Sequence, residues 1–254
     1  MDWALIITAV VVIVAIGFDF TNGFHDAANA IATSVGTRAL APVTALALAA
    51  VFNFIGAFIG YWTGSGVAKT IQSVTTPPTG YAGLALVAAA LGGAIGWNLV
   101  TWRLGLPSSS THALIGGVVG AALVAGTIVE WGTVWEKVII PMVTSPFVGL
   151  ILAFLVMRLI VVIFRNKNPQ KVGGGFRHAQ SVSACAMAMG HGMQDAQKTM
   201  GVIFLLLISM GYASASDEMP VWIVFACAGA ISIGTAVGGK RIMKTLGRRI
   251  IDLD

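Results

Sequence analysis

Seven stretches of mostly apolar residues, near 3–22, 41–63, 82–102, 113–129, 138–164, 179–212 and 221–239, dominate this chain. Each has at least roughly the 17–20 residues a helix needs to cross the hydrocarbon layer of a bilayer. In lipid no water is present to satisfy backbone N–H and C=O groups, so a single segment crosses only as a helix. The chain therefore reads as an all-α integral membrane protein, a polytopic helical bundle. Only 10% of its 254 residues are charged, against about 25% in soluble domains, and its mean hydropathy is +0.87. The first stretch opens on Asp2, with no basic region before it and no clear small-residue cleavage site after it, so it reads as a span rather than a signal peptide.

Thirty-one glycines, many inside apolar runs, favour close helix packing. Cys185 and Cys227 both lie in apolar runs, where a thiol behaves as a small hydrophobe. The net charge of +5 resides in short loops beside spans, which is the distribution of membrane topology and not of a nucleic-acid surface. Arg158, Arg165, Lys167, Lys171 and Arg177 mark one cytoplasmic loop, and Lys240, Arg241, Lys244, Arg248 and Arg249 mark a cytoplasmic tail. Counting spans back from these puts Arg38 and Arg103 inside. The amino terminus, Lys69 and the 130–137 loop then lie outside. The Gly-rich 166–176 segment reads as a cytoplasmic linker without structure of its own, dividing a first transmembrane repeat (1–165) from a second (177–254).

An internal match supports that division. The sequence NGFHDAANA (22–30) recurs as HGMQDAQKT (191–199), with Asp26 matching Asp195, 169 residues on. By the topology above the two copies run in opposite directions, the inverted-repeat arrangement of many secondary transporters. An ionised carboxylate within a span costs on the order of 3 kcal/mol on insertion scales, so such residues are rarely idle. Asp26 also suits a helix N-cap after Gly23, a role compatible with ligand binding. Polar neighbours crowd both copies: Thr21, Asn22, His25, Asn29, Thr33 and Ser34 beside Asp26, and His191, Gln194, Gln197, Lys198 and Thr199 beside Asp195. Helices broken at glycine near mid-bilayer would expose backbone there as well.

A third feature is the hairpin WNLVTWRLGLPSSSTHALIGGVVGA (97–121), two apolar runs joined by Gly105, Pro107 and the hydroxyls of 108–111. A helix N-terminus has unpaired N–H groups and a partial positive charge, so hydroxyls there suit an oxyanion; a plain N-cap has the same appearance. His112 reads as a packing residue or a proton carrier, and Lys198 as a neutraliser of Asp195 or an anion grip.

GFHDAANAIATSVGTRALAP (23–42), WNLVTWRLGLPSSSTHALIGG (97–117) and GHGMQDAQKTMG (190–201) together resemble the inorganic phosphate transporter (PiT) family in order and spacing. The resemblance implies a low-affinity-type symporter of the cell membrane that takes up inorganic phosphate, alone or as a metal–phosphate complex. It also implies inverted repeats with broken helices, a re-entrant Ser-rich hairpin and an anion held at the repeat interface. Carried over by motif, the phosphate-binding residues are Ser109, Ser110, Thr111, Asn29 and Gln194. Asp26, Asp195 and His25 serve the coupling cation, with no catalytic residue, resident metal or cofactor. Phe24-His25-Asp26 is similar to bacterial proton-coupled members, which points to H+ over Na+. The implied partners are phosphate, the coupling cation, the bilayer and, as one option, further copies of the chain.

The family carries a second Ser/Thr-rich hairpin. By the internal spacing it belongs 82 residues after Asp195, beyond Asp254, so the second repeat is expected to be incomplete and the chain to be a fragment. Two rival readings are a divalent-cation carrier or channel, suited to the two acidic elements, and an intramembrane hydrolase, for which neither G-x-S-x-G nor H-E-x-x-H is present.

Overall fold

The computed structural model describes residues 3–64, 66–106 and 108–238, leaving aside the side chains of 27–29 and 169. Its elements are helices α1 (Trp3–Gly36), α2 (Pro42–Thr63), α3 (Gly66–Gln72), α4 (Tyr81–Leu104), α5 (Ser110–Ala125), α6 (Trp131–Val134), α7 (Ile140–Phe164), α8 (Pro169–Ser209) and α9 (Val221–Gly238), with a π-helical turn at Trp135–Ile139 joining α6 to α7. Among the described residues, five stretches are long and apolar enough to cross a membrane: Trp3–Gly36, Pro42–Thr63, Tyr81–Leu104, Trp131–Phe164 and Val221–Gly238. The chain is a multi-pass helical membrane protein. α5 has 16 residues, and α8 is long but carries His178, His191, Asp195 and Lys198 along its length.

Two expectations change. Helix α1 runs unbroken through Gly23, and α8 through Gly190 and Gly192, so these glycines are not helix breaks. Gly23 and Gly192 are instead places where another backbone comes close: a Cβ on Gly23 would strike the carbonyl of Ile231, and one on Gly192 the carbonyl of Asn53. The segment read as an unstructured linker is helical from Pro169. Asn168 caps it by accepting a 2.9 Å hydrogen bond from the Gln170 N–H, and Pro169 suits the first helical turn, where its missing N–H has no intrahelical partner to lose.

These close approaches come in pairs related by a local two-fold. Gly56 and Gly60 of α2 recur as Gly234 and Gly238 of α9, 178 residues on, each pair a Gly-x-x-x-Gly stripe that lets backbones meet. Gly56 abuts Met189 and Gly60 abuts Met193 on α8, while Gly234 abuts Phe20 and Gly238 abuts Phe24 on α1. Phe20 and Phe24 are the positions that match Met189 and Met193. The swap of α1 with α8 and of α2 with α9 thus reproduces the packing. Thr37 Oγ1 donates to Gln180 Oε1 at 2.7 Å, while Asp26 lies beside His191, so α1 and α8 are antiparallel and the two copies are inverted.

Around this four-helix frame, α4 and α5 form a helical hairpin, turned by Gly105 in the left-handed region (φ 69°), where glycine alone is unstrained. The main core gathers Phe18, Leu91, Leu114, Ile203, Leu206, Ile223 and Ile231 from α1, α4, α5, α8 and α9. Helix α7 has no buried residue and presents apolar side chains all round, the surface of a helix that meets lipid or another hydrophobic element.

Candidate functional site

Asp26 and Asp195 face each other across the two-fold, as their matched positions on antiparallel helices require. His191 stands between them, its Nε2 3.1 Å from Asp195 Oδ2 and 4.0 Å from Asp26 Oδ2. Its other nitrogen, Nδ1, is 2.9 Å from Asn53 Oδ1, and Asn53 Nδ2 donates to Thr235 Oγ1 at 2.8 Å. Because a carboxamide oxygen only accepts, Nδ1 carries the hydrogen, and Nε2 is left to the two carboxylates. Protonated, it would turn its charge towards both.

The second side of the site is the N-terminus of α5. Ser109 is the N-cap, its Oγ accepting from the His112 N–H at 3.3 Å. Ser110 and Thr111 then project inward. Ser110 Oγ donates to Asp26 Oδ2 at 3.1 Å and accepts from Lys198 Nζ at 2.8 Å, while Thr111 Oγ1 accepts from the same ammonium at 2.9 Å. Lys198 is 1% exposed and pairs with Asp195 Oδ2 at 2.9 Å. One buried ammonium therefore ties α8 to the α5 hydroxyls and, through Ser110, to Asp26.

His25 is buried against Asp26. Its Nδ1 is 2.8 Å from Asp26 Oδ1 and its Nε2 3.2 Å from Thr101 Oγ1 of α4. Gln194 is exposed and lines a cavity of about 160 Å³ together with Thr70, Thr111, Lys137, Asp195 and Lys198. The side chain of Asn29 lies outside the described residues. Of the residues singled out in the sequence, Asp26, Asp195, His25, Ser110 and Thr111 converge on one cluster, with Gln194 at its margin. Ser109 faces instead the groove between α4 and α5, with Trp97, Ser108 and His112.

Sequence reasoning did not single out Asn53, Thr101 or Thr235 as site residues. Asn53 offered a signal, a lone carboxamide inside an otherwise apolar helix; Thr101 and Thr235 offered none, since threonine bonds back to its own helix as readily as to a neighbour. Lys198 pairs with Asp195 and also donates to the two hydroxyls of α5.

Asp26, His191 and Asp195 each offer one ligand atom, all within 4.8 Å of one another. The set does not suit a resident metal. The ammonium of Lys198 already lies 2.9 Å from Asp195 Oδ2, and a cation placed beside it would meet a like charge in a low-dielectric interior.

An inverted pair of helical units with ionisable side chains packed at their interface is the architecture of many secondary membrane transporters. The profile of the phosphate transporter family matches residues 22–174 and 163–254, and the chain belongs to that family. It is 44% identical over 255 residues to the "Probable low-affinity inorganic phosphate transporter" of Bacillus subtilis (strain 168), a match covering 100% of this chain and 75% of that one. It is 43% identical over 256 residues to the protein of the same name from Mycobacterium tuberculosis (strain ATCC 25618 / H37Rv), covering 100% of this chain and 60% of the relative. The chain thus spans between 60% and 75% of the length of these relatives. Among solved structures, one described as "The sodium-dependent phosphate transporter" shares the fold with a TM-score of 0.78 at 24% identity, covering 95% of this chain and 78% of the other.

Proposed function

We propose that this chain carries inorganic phosphate across the cell membrane in symport with a cation, the proton being the coupling ion. The observation that supports it best is the cavity of about 160 Å³ where Lys198, Lys137, Thr70, Thr111 and Gln194 bring N–H and O–H donors around one space. Phosphate is bound by such donors, and ammonium groups supply the compensating charge. The helix N-terminus at Ser110 adds partial positive charge from the same side. Asn29 belongs to this set by its place in the family motif.

The carboxylates have a different task. Asp26 and Asp195 would repel a bound anion, so their work is on the cation, with His191 and His25 as the imidazoles that meet them. Protonation of His191, and release of Lys198 from the α5 hydroxyls to an arriving anion, would link the two substrates. Rocking of one inverted unit against the other would then expose the site to the opposite side. The reading places the 166–176 segment and the carboxyl-terminal tail in the cytoplasm.

The test is uptake of radiolabelled phosphate by cells lacking their own phosphate carriers, at varied pH and sodium. Uptake that rises with an inward proton gradient and is abolished by Asp26→Asn is the expected result. Chain present in the membrane without phosphate uptake, or uptake indifferent to Asp26→Asn, would overturn it. Sulfate competition and chelators separate free phosphate from a metal–phosphate complex.

A further inference from the structure

Asp19 lies two turns before Asp26 on α1, 0% exposed, and takes no part in the network above. Neither of its carboxylate oxygens has a hydrogen-bond partner. Helix α8 brings the Thr199 hydroxyl beside it and α9 the Cys227 thiol. Thr199 Oγ1 also lacks a partner, as do both polar atoms of Asn22, one turn along α1. Asn22 and Thr199 are each 0% exposed. Buried polar side chains without partners are costly, and an ionised, unpaired carboxylate would be the costliest of them.

Packing does not ask for them. The two-fold maps Asp19 onto Ala188 and Thr199 onto Ala30, and those two alanines lie together in one apolar cluster. Where one side of the frame is filled by a pair of methyl groups, the other holds an acid and a hydroxyl. The asymmetry calls for a chemical reason.

A proton supplies one. An ionised carboxylate could accept from the Thr199 hydroxyl but would keep its full charge at 0% exposure, whereas a neutral carboxyl loses that charge and adds an O–H that the Thr199 oxygen can accept. A metal ion fits less well. It needs a shell of several oxygens, and here one carboxylate, one carboxamide, one hydroxyl and a thiol are offered, with the local carbonyls held in unbroken helices. The charged and titratable groups around Asp19 are Lys198, Asp195 and His191 of α8 and Cys227 of α9. On its own helix His25 and Asp26 follow; α2 has no charged side chain, and the Arg103 of α4 lies at that helix's exposed end.

We propose that Asp19 is a second proton-carrying group of this transporter, apart from the Asp26–Asp195 cluster. Its carboxylate takes one proton from water on one side and returns it on the other, with no other bond changed, and Thr199 holds the protonated form. The proposal rests on the symport reading above.

The test uses the whole chain reconstituted in liposomes, wild type and Asp19→Asn, which is isosteric and should fold. Phosphate exchange at equal concentrations moves no net proton, whereas accumulation under an imposed pH gradient does. The expected result is that Asp19→Asn keeps exchange and loses gradient-driven accumulation, while its thermal midpoint is unchanged. Accumulation equal to wild type would overturn the proposal. Infrared spectra give a readout independent of transport: the C=O band of a buried protonated carboxyl should be present in wild type and missing in Asp19→Asn. If the wild type moves no phosphate, the symport reading fails and that band still decides Asp19, its absence refuting the assignment.

Discussion

Lys198→Met is the perturbation that most directly tests the site as described. Methionine keeps the length and most of the packing of a side chain that is 1% exposed, and deletes only the charge. Three contacts disappear: the 2.9 Å pair with Asp195 and the hydrogen bonds of 2.8 Å and 2.9 Å to Ser110 and Thr111. Removing one partner of a buried ion pair costs about 3–5 kcal/mol, because the other charge stays behind. The lower end applies here, since Asp195 retains His191 at 3.1 Å and Ser110 can still donate to Asp26. For a chain of this size that is a fall in melting temperature on the order of 10 °C, read by circular dichroism of the purified protein in detergent.

The double variant sharpens the test. Lys198→Met with Asp195→Asn leaves neither charge unpaired, so it should lie within about 1–2 kcal/mol of wild type, well short of the sum of the single changes. A single Lys198→Met as stable as wild type, or a double variant as damaged as the sum, would refute the buried pair.

Three further outcomes follow from the same geometry. Gly23→Ala and Gly192→Ala each drive a methyl into a backbone carbonyl, so both should destabilise by about 1–3 kcal/mol or more in thermal melts, whereas Gly92→Ala, with open space around it, should stay within about 0.5 kcal/mol. Ser109→Ala removes the α5 cap and should cost about 1 kcal/mol with phosphate affinity little changed, while Ser110→Ala should weaken phosphate uptake more than it weakens the fold. Asn53→Ala frees His191 Nδ1 and should shift the pH profile of uptake while costing about 1–3 kcal/mol of stability in the same melts.

Much of this was legible in the sequence, because membrane constraints act on single segments. The apolar runs mark helices by length alone, and Asp26 and Asp195 stand out because lipid penalises them. The glycines misled for a physical reason. In one chain Gly23 or Gly192 signals a helix break, and only the partner helix reveals that the missing Cβ makes room for Ile231 or Asn53. Thr101 and Thr235 were invisible for a similar reason, since their site contacts come from residues distant in sequence.

The sequence match between the two copies also hid where they differ in chemistry. Asp26 and Asp195 obey the two-fold, but their surroundings do not: Asp26 meets His25 and Ser110, and Asp195 meets Lys198. A symmetric site would hold the same charge on both sides and give no preference to either half. Here the ammonium lies on the α8 side and His25 on the α1 side, so under the proposed symport an anion that displaced the α5 hydroxyls from Lys198 would act on one copy only. His191 lies close to both carboxylates, and it occupies the position matched by the unpartnered Asn22 in the first copy. The inverted frame supplies two equivalent packing arrangements, and these unmatched side chains are what can make one of them depend on what is bound.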